Sequence, residues 1–319
     1  MISLLITLVL IELMLGSVDV SILDAIENSN SIANDILFTR INRTALGIIV
    51  GVGCALSGLG IQTIFKNPLA GPTTLGVNSG ASLGVGIYYL IPGFAVQFSS
   101  LGLGVFAILG AVSFLLLLIS IAGKAFNLTF VLIVGLLLSY GSYAVLEVLL
   151  QLSDSVGMKN YIFWGMGSLN KGSLESITGL ALISILGVII LKKQANWLNV
   201  YNLGEHELKL VSNKSIGFNK RFLLIVFGVW IGSITSVVGP IAFVGIVVPN
   251  VLKLILKTSD INRLLPLSLL LGAILVLLAD LISRGAFGGV LLPINAVLSV
   301  LGVPIIIYFI FKKMSFVKG

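Results

Sequence analysis

The stretch KNPLAGPTTLGVNSGA, residues 66–81, decides how this chain is read. Asn-Pro, Gly-Pro, two threonines, an asparagine and a serine follow in close order. They lie between ALGIIVGVGCALSGLGIQTIF and SLGVGIYYLI, two flanks apolar enough for a bilayer. Pro68 stops one helix and the Gly71-Pro72 turn starts the next. Non-helical backbone at membrane depth survives only when buried in protein or lining a wet cavity. The stretch is therefore expected to be a buried structural corner, carried by Asn67, Pro68, Gly71, Pro72 and Gly76, rather than a ligand site.

The composition agrees. Of 319 residues, 57% are hydrophobic and 10% charged, and the mean hydropathy is +1.15. A soluble domain carries about 25% charged residues, so this chain is an integral membrane protein. Its 36 glycines suit close packing of membrane helices. The single Cys54 leaves no disulfide framework or cysteine metal site, and the single His206 leaves no histidine cluster. Residues 1–16 lack a basic n-region and a nearby small-x-small site, so they read as an uncleaved first span rather than a signal peptide.

Windows of about 20 apolar residues fall at 2–18, 44–65, 73–91, 98–122, 128–151, 174–191, 221–238, 243–257, 264–283 and 291–311. Ten spans put both termini on the same side. With that side cytoplasmic, Lys66, Lys124, Lys192, Lys193, Lys209, Lys214, Lys220, Arg221, Lys253, Lys257, Arg263, Lys312, Lys313 and Lys318 lie inside. Arg40, Arg43, Lys159, Lys171 and Arg284 lie outside. Fourteen against five is the positive-inside asymmetry, and it accounts for the net charge of +7 without nucleic acid. Two connections are long: 19–43 outside, with Asp19, Asp24 and Glu27, and 192–220 inside. No phosphate-binding loop, HExxH or Ser/His/Asp set is present. Gly71-Pro72 with Gly76, and Gly239-Pro240 with Gly245, lie on opposite sides of this topology. That pattern fits an inverted repeat of spans 2–5 and 7–10.

The run RINRTALGIIVGVGCALSGLGIQTIFKNPLAGPTTLGVNSGASLGV resembles the permease subunits of bacterial ABC importers for iron-siderophores, haem and vitamin B12. The resemblance continues through WGMGSL (164–169), LGE (203–205), GPIAFVGIVVPN (239–250), LLPLSLLLGAILVLLADLISR (264–284) and LPINAVLSVLGVPIIIYFIF (292–311), in the same order. Asn42, Asn250, Lys253 and Asn295 depart from the usual Pro, His, Arg and Gly. The resemblance implies an all-α membrane protein with the type II ABC importer permease fold, one permease domain over 1–319, in the bacterial inner membrane. It also implies a homodimer, or a heterodimer with a close paralogue, around a central path in the lipid bilayer. Two cytoplasmic ATPase subunits would hold ATP and Mg, with no cofactor on this chain, and a substrate-binding protein would dock outside. A ferric siderophore is the expected cargo, with haem or cobalamin as alternatives.

The same resemblance gives candidate residues. Arg40, Arg43 and Arg284 are similar to arginines that pair with glutamates of the binding protein, although Arg284 also stands four residues from Asp280. Leu203, Gly204 and Glu205, within 192–220, would start a short helix that fits the ATPase. Ser139, Tyr140, Ser142, Tyr143 and Glu147 give the fifth span a polar stripe. An acid at membrane depth usually faces a cavity or partner, so the stripe reads as path lining, with helix packing as the alternative. Trp164 reads as an interfacial anchor, and His206 as a solvated loop residue. An ion-coupled transporter would need ionisable groups at the midplane, where this sequence has almost none; a membrane-embedded enzyme lacks catalytic residues.

Overall fold

A computed structural model describes residues 1–15, 32–122, 128–170, 172–211, 216–284 and 292–317. Lys124, Lys171, Lys214 and Lys318, with Asp19, Asp24 and Glu27, lie outside the described residues. The described chain is all helical: α1 Ile2–Met14, α2 Ile32–Ile64, α3 Val77–Leu90, α4 Phe94–Gln97, α5 Ser99–Ala122, α6 Leu128–Leu152, α7 Ser155–Gly165, α8 Leu174–Leu203, α9 Glu205–Val211, α10 Ile216–Val238, α11 Val244–Leu256, α12 Ile261–Ser283 and α13 Ile294–Val317. Seven of them, α2, α5, α6, α8, α10, α12 and α13, are long and apolar enough to cross a membrane. The remaining three windows hold the shorter helices α1, α3 and α11, of 13, 14 and 13 residues.

Two expected boundaries move. Arg40 and Arg43 do not lie in a loop, because α2 starts at Ile32, with Asp35 in its first turn where the helix dipole favours an acid. Residues 192–203 are not a loop either but the last turns of the 30-residue α8. From Arg43 to Lys66 the chain advances by 23 residues, roughly 35 Å at about 1.5 Å per residue, enough to cross a bilayer core of about 30 Å. The molecule therefore has an arginine end and a lysine end.

At the centre lie α2 and α10, the most enclosed of the long helices. The packing around them repeats: α2 packs on α12 as α10 does on α5, and α2 on α11 as α10 on α3. Likewise α3–α5 answers α11–α12, and α3–α6 answers α11–α13. Close approach demands glycine where α2 crosses α12 and α11. A Cβ on Gly51 would overlap the Gly272 backbone, and one on Gly58 would overlap Gly245. Without a hydrophobic force between helices in lipid, such contact is a main source of cohesion. Gly80 and Gly84 serve the same purpose inside the subunit, against Gly110 and Phe106 of α5.

Both Gly-Pro segments feed the short helices. Gly76 (φ 75°) precedes α3, and Gly239 (φ 81°) opens the segment before α11; both φ values favour glycine. In the first segment, the Leu69 N–H donates to Asn67 Oδ1 (2.8 Å) and the Gly71 N–H to Thr74 Oγ1 (2.8 Å). Backbone bonds to Gln62, Asn67, Gly71 and Pro72 carbonyls complete it. In the second, the Ala242 N–H donates to Asn295 Oδ1 (3.1 Å), and Ile241 O accepts from Asn78 Nδ2 (3.2 Å). The chain leaves the helix at membrane depth only where its polar groups find such partners.

Candidate functional site

At the arginine end, α2, α12 and α1 converge. Arg43 grips Asp280 with both arms of its fork: Nε to Oδ2 at 2.8 Å and Nη2 to Oδ1 at 2.7 Å. Arg284 donates to the same carboxylate through Nε (2.9 Å) and Nη2 (2.7 Å), and also pairs with Glu12 of α1. Arg43 further reaches Asn170, and Arg40 Nη1 donates to the Leu13 and Met14 carbonyls (2.8 and 3.1 Å) at the end of α1. Asp280 and Glu12 are 1% and 0% exposed. The three predicted arginines are thus brought together, but their forks are first engaged within the chain. The i,i+4 spacing pointed to the Arg284–Asp280 pair; Glu12 was missed, although an acid inside an apolar helix was the available signal.

At the lysine end, Leu203 closes α8, Gly204 is extended backbone, and Glu205 begins the short α9. Glu205 Oε1 accepts from Lys220 Nζ at 2.7 Å. That bond, chiefly, holds the Glu205 carboxyl below its usual range. Tyr201, not singled out by sequence, organises the surroundings. Its ring lies 4.8 Å from Lys66 Nζ and 4.6 Å from Lys220 Nζ, and stacks on Trp197 with centroids 5.5 Å apart. Its hydroxyl donates to Ile64 O (3.2 Å), the last residue of α2. The segment 203–205 is thereby tied to the Asn67–Gly76 corner. His206 is exposed.

The corner itself is seated on α11. Gln62 Nε2 donates to Ile246 O (3.2 Å), while Gln62 Oε1 accepts from Lys253 Nζ (2.9 Å). Asn250 Nδ2 donates to Pro68 O (2.7 Å). Asn250, Lys253 and Asn295, three of the departures from the usual pattern, are therefore each built into these contacts.

The polar stripe of α6 divides. Ser139 and Ser142 are buried, and their hydroxyls donate to Gly135 O (2.8 Å) and Leu138 O (3.1 Å) of their own helix. Tyr140 (62% exposed), Tyr143 (56%) and Glu147 share the opposite, exposed face with Ile133 and Leu136. Trp164 corrects an expectation: it is no interfacial anchor but is 2% exposed, with Nε1 donating to Ser236 O at 3.3 Å. Tertiary packing of α7 against α3 encloses it, beside Tyr161.

The FecCD transport family pattern matches residues 4–312. The chain is 32% identical to the vitamin B12 import system permease protein BtuC of Salmonella paratyphi A, over 86% of this chain and 82% of that one. It is 33% identical to that of Salmonella gallinarum, with the same coverage. A solved metal-chelate type ABC transporter in an inward-facing conformation superposes with a TM-score of 0.85 at 26% identity, covering 98% of this chain and 97% of that one. PsaBC from Streptococcus pneumoniae, at 14% identity, shares the fold, with a TM-score of 0.62 over 91% of this chain and 95% of that one.

Proposed function

This chain belongs to the FecCD transport family, and from that premise we propose that it carries a bulky metal chelate, a ferric siderophore, along the axis of a dimer. It is an integral inner-membrane protein and an ABC importer permease, of a family that works with ATPase and substrate-binding partners. The observation that carries the path is the exposed face of α6. Tyr140, Tyr143 and Glu147 stand in one row on an otherwise apolar helix, which a face turned wholly to lipid would not favour. A second copy of this chain, or a close paralogue, closes that face into a path. Ser139 and Ser142 support the helix from behind.

Ten spans with both ends cytoplasmic, arranged as an inverted repeat, are the reading that the repeated packing and the charge asymmetry support. The binding protein docks on the arginine end. Because Arg43 and Arg284 are engaged with Asp280, an acidic partner meets this rim as one cationic surface rather than as three independent forks. Two ATPase subunits, holding ATP and Mg, dock on Leu203, Gly204 and Glu205. Their motion reaches the corner through Tyr201. Cobalamin is the second reading for cargo, favoured by the curated relatives.

Uptake into liposomes containing this chain, with ATPase subunits and binding protein added, is expected to require ATP. Uptake driven by an ion gradient alone overturns the importer reading for an ion-coupled one. The metal and organic part of the ligand that copurifies with the binding protein decide between siderophore, haem and cobalamin.

A further inference from the structure

We propose that a cavity at the lysine end binds a phosphate group, and that its resident is the headgroup phosphate of an anionic lipid. The cavity, of about 580 Å³, opens between the ends of α2 and α8 and the helices α11 and α13. That volume lies in the usual range for ligand sites, about 300–1,000 Å³. Lys66, Lys253 and Lys312 line it, and no aspartate or glutamate does.

Each lysine is oriented by a neutral partner. Lys66 lies over the Tyr201 ring and Lys312 Nζ over the Tyr308 ring (5.7 Å), while Lys253 donates to the Gln62 amide oxygen. An ammonium carries three donors and no acceptor, so these contacts aim the charge without cancelling it. Lys66 is held with φ at 47°, a conformation that only a tightly determined surrounding maintains. The nearest acids are committed elsewhere. Glu205 accepts from Lys220, and Asp260 caps α12 while accepting from Asn199 Nδ2 at 2.7 Å.

Two features favour a lipid phosphodiester. Leu254 and Phe309 give the polar cavity an apolar wall, which suits the glycerol backbone and first methylenes of a lipid. Asn250, also in the lining, has a buried Oδ1 that meets no donor and would accept from a glycerol hydroxyl. Basic pockets between membrane helices on the cytoplasmic side are where anionic headgroups bind. The inference does not depend on the cargo.

The test uses the full-length chain in detergent, with phosphatidylglycerol, phosphatidylcholine and inorganic phosphate as probes, read by native mass spectrometry. Phosphatidylglycerol adducts are expected to survive, and to fall roughly tenfold or more in Lys253→Gln/Lys312→Gln. Lys253→Arg/Lys312→Arg restores them. Lys192→Gln/Lys193→Gln, exposed lysines outside the cavity, leaves them unchanged. Displacement of the lipid by millimolar phosphate supports the phosphate site. Binding of phosphate with none of phosphatidylglycerol keeps the site but overturns the lipid as resident. Equal loss in the Lys192/Lys193 control, equal retention of phosphatidylcholine, or undiminished adducts in the glutamine variant overturn the proposal. So does loss of the partner ATPase with lipid binding intact, which makes the pocket a protein contact. Monodisperse elution guards against misfolding, and Lys312→Gln alone is expected to give an intermediate loss.

Discussion

The two ends of the molecule handle charge in opposite ways. At the arginine end, two buried guanidinium forks share the Asp280 carboxylate, and the second also pairs with Glu12. At the lysine end, ammonium groups rest on aromatic rings and amide oxygens, and a single ion pair joins Lys220 to the half-exposed Glu205. The difference follows from the side chains. A planar fork satisfies both carboxylate oxygens and tolerates burial, whereas an ammonium is a strongly hydrated point charge. One rim is locked and nearly self-satisfied; the other keeps positive charge facing a cavity.

The most severe way to break this contrast is Asp280→Ala, which leaves two buried arginines without their carboxylate. The expected cost is about 3–5 kcal/mol, seen as a large fall in the thermal unfolding midpoint in detergent or as failure to assemble. Exchanging residue types sharpens it. Arg43→Lys keeps the charge but loses one charge-assisted bond, about 1.5–3 kcal/mol, while Lys253→Arg at the other end should leave the midpoint nearly unchanged. A cost for Lys253→Arg as large as that for Arg43→Lys would show that the rims do not differ in this respect.

Tyr201 tests the aromatic mode of holding lysine. Tyr201→Phe keeps the ring between Lys66 and Lys220 but loses the bond to Ile64 O, for about 1 kcal/mol. The smallest effect is expected at Glu205→Gln, about 0–1 kcal/mol because the carboxylate is half exposed and screened. Its pH signature has a definite sign. The folded carboxyl titrates below the ordinary value of 4.5, so the unfolded chain binds more protons in between. The contribution is therefore complete above that value and shrinks as pH falls through the folded pKa. Thermal midpoints of wild type and Glu205→Gln should differ at neutral pH and converge in acid; divergence in acid would reject the assignment.

Legibility in the sequence varied with the range of the interaction. Seven spans lay where hydropathy put them, because twenty apolar residues have few alternatives to a membrane helix. The Gly-Pro corners were legible for a similar reason: Pro68 removes a donor, and Gly76 allows a backbone that few residues adopt. Helix ends were less so. Polar residues such as Asn34, Asp35 and Arg40 resemble a loop until α1 and α12 supply their contacts, and α8 runs on past its apolar window to Leu203 because Trp197, Leu198 and Tyr201 pack against the core. The polar stripe of α6 was visible, but not its division between a buried and an exposed face.

Sequence alone determined that this chain is a helical membrane protein, where its long spans lie and where its backbone breaks, since each follows from properties of adjacent residues. Tertiary structure alone decided the partners. Arg43 finds Asp280 across 237 positions, Lys253 finds Gln62 across 191, and Tyr201 finds Ile64 across 137. Those pairs depend on the rotation and crossing of helices, set by contacts such as Gly51 on Gly272 that no local pattern encodes.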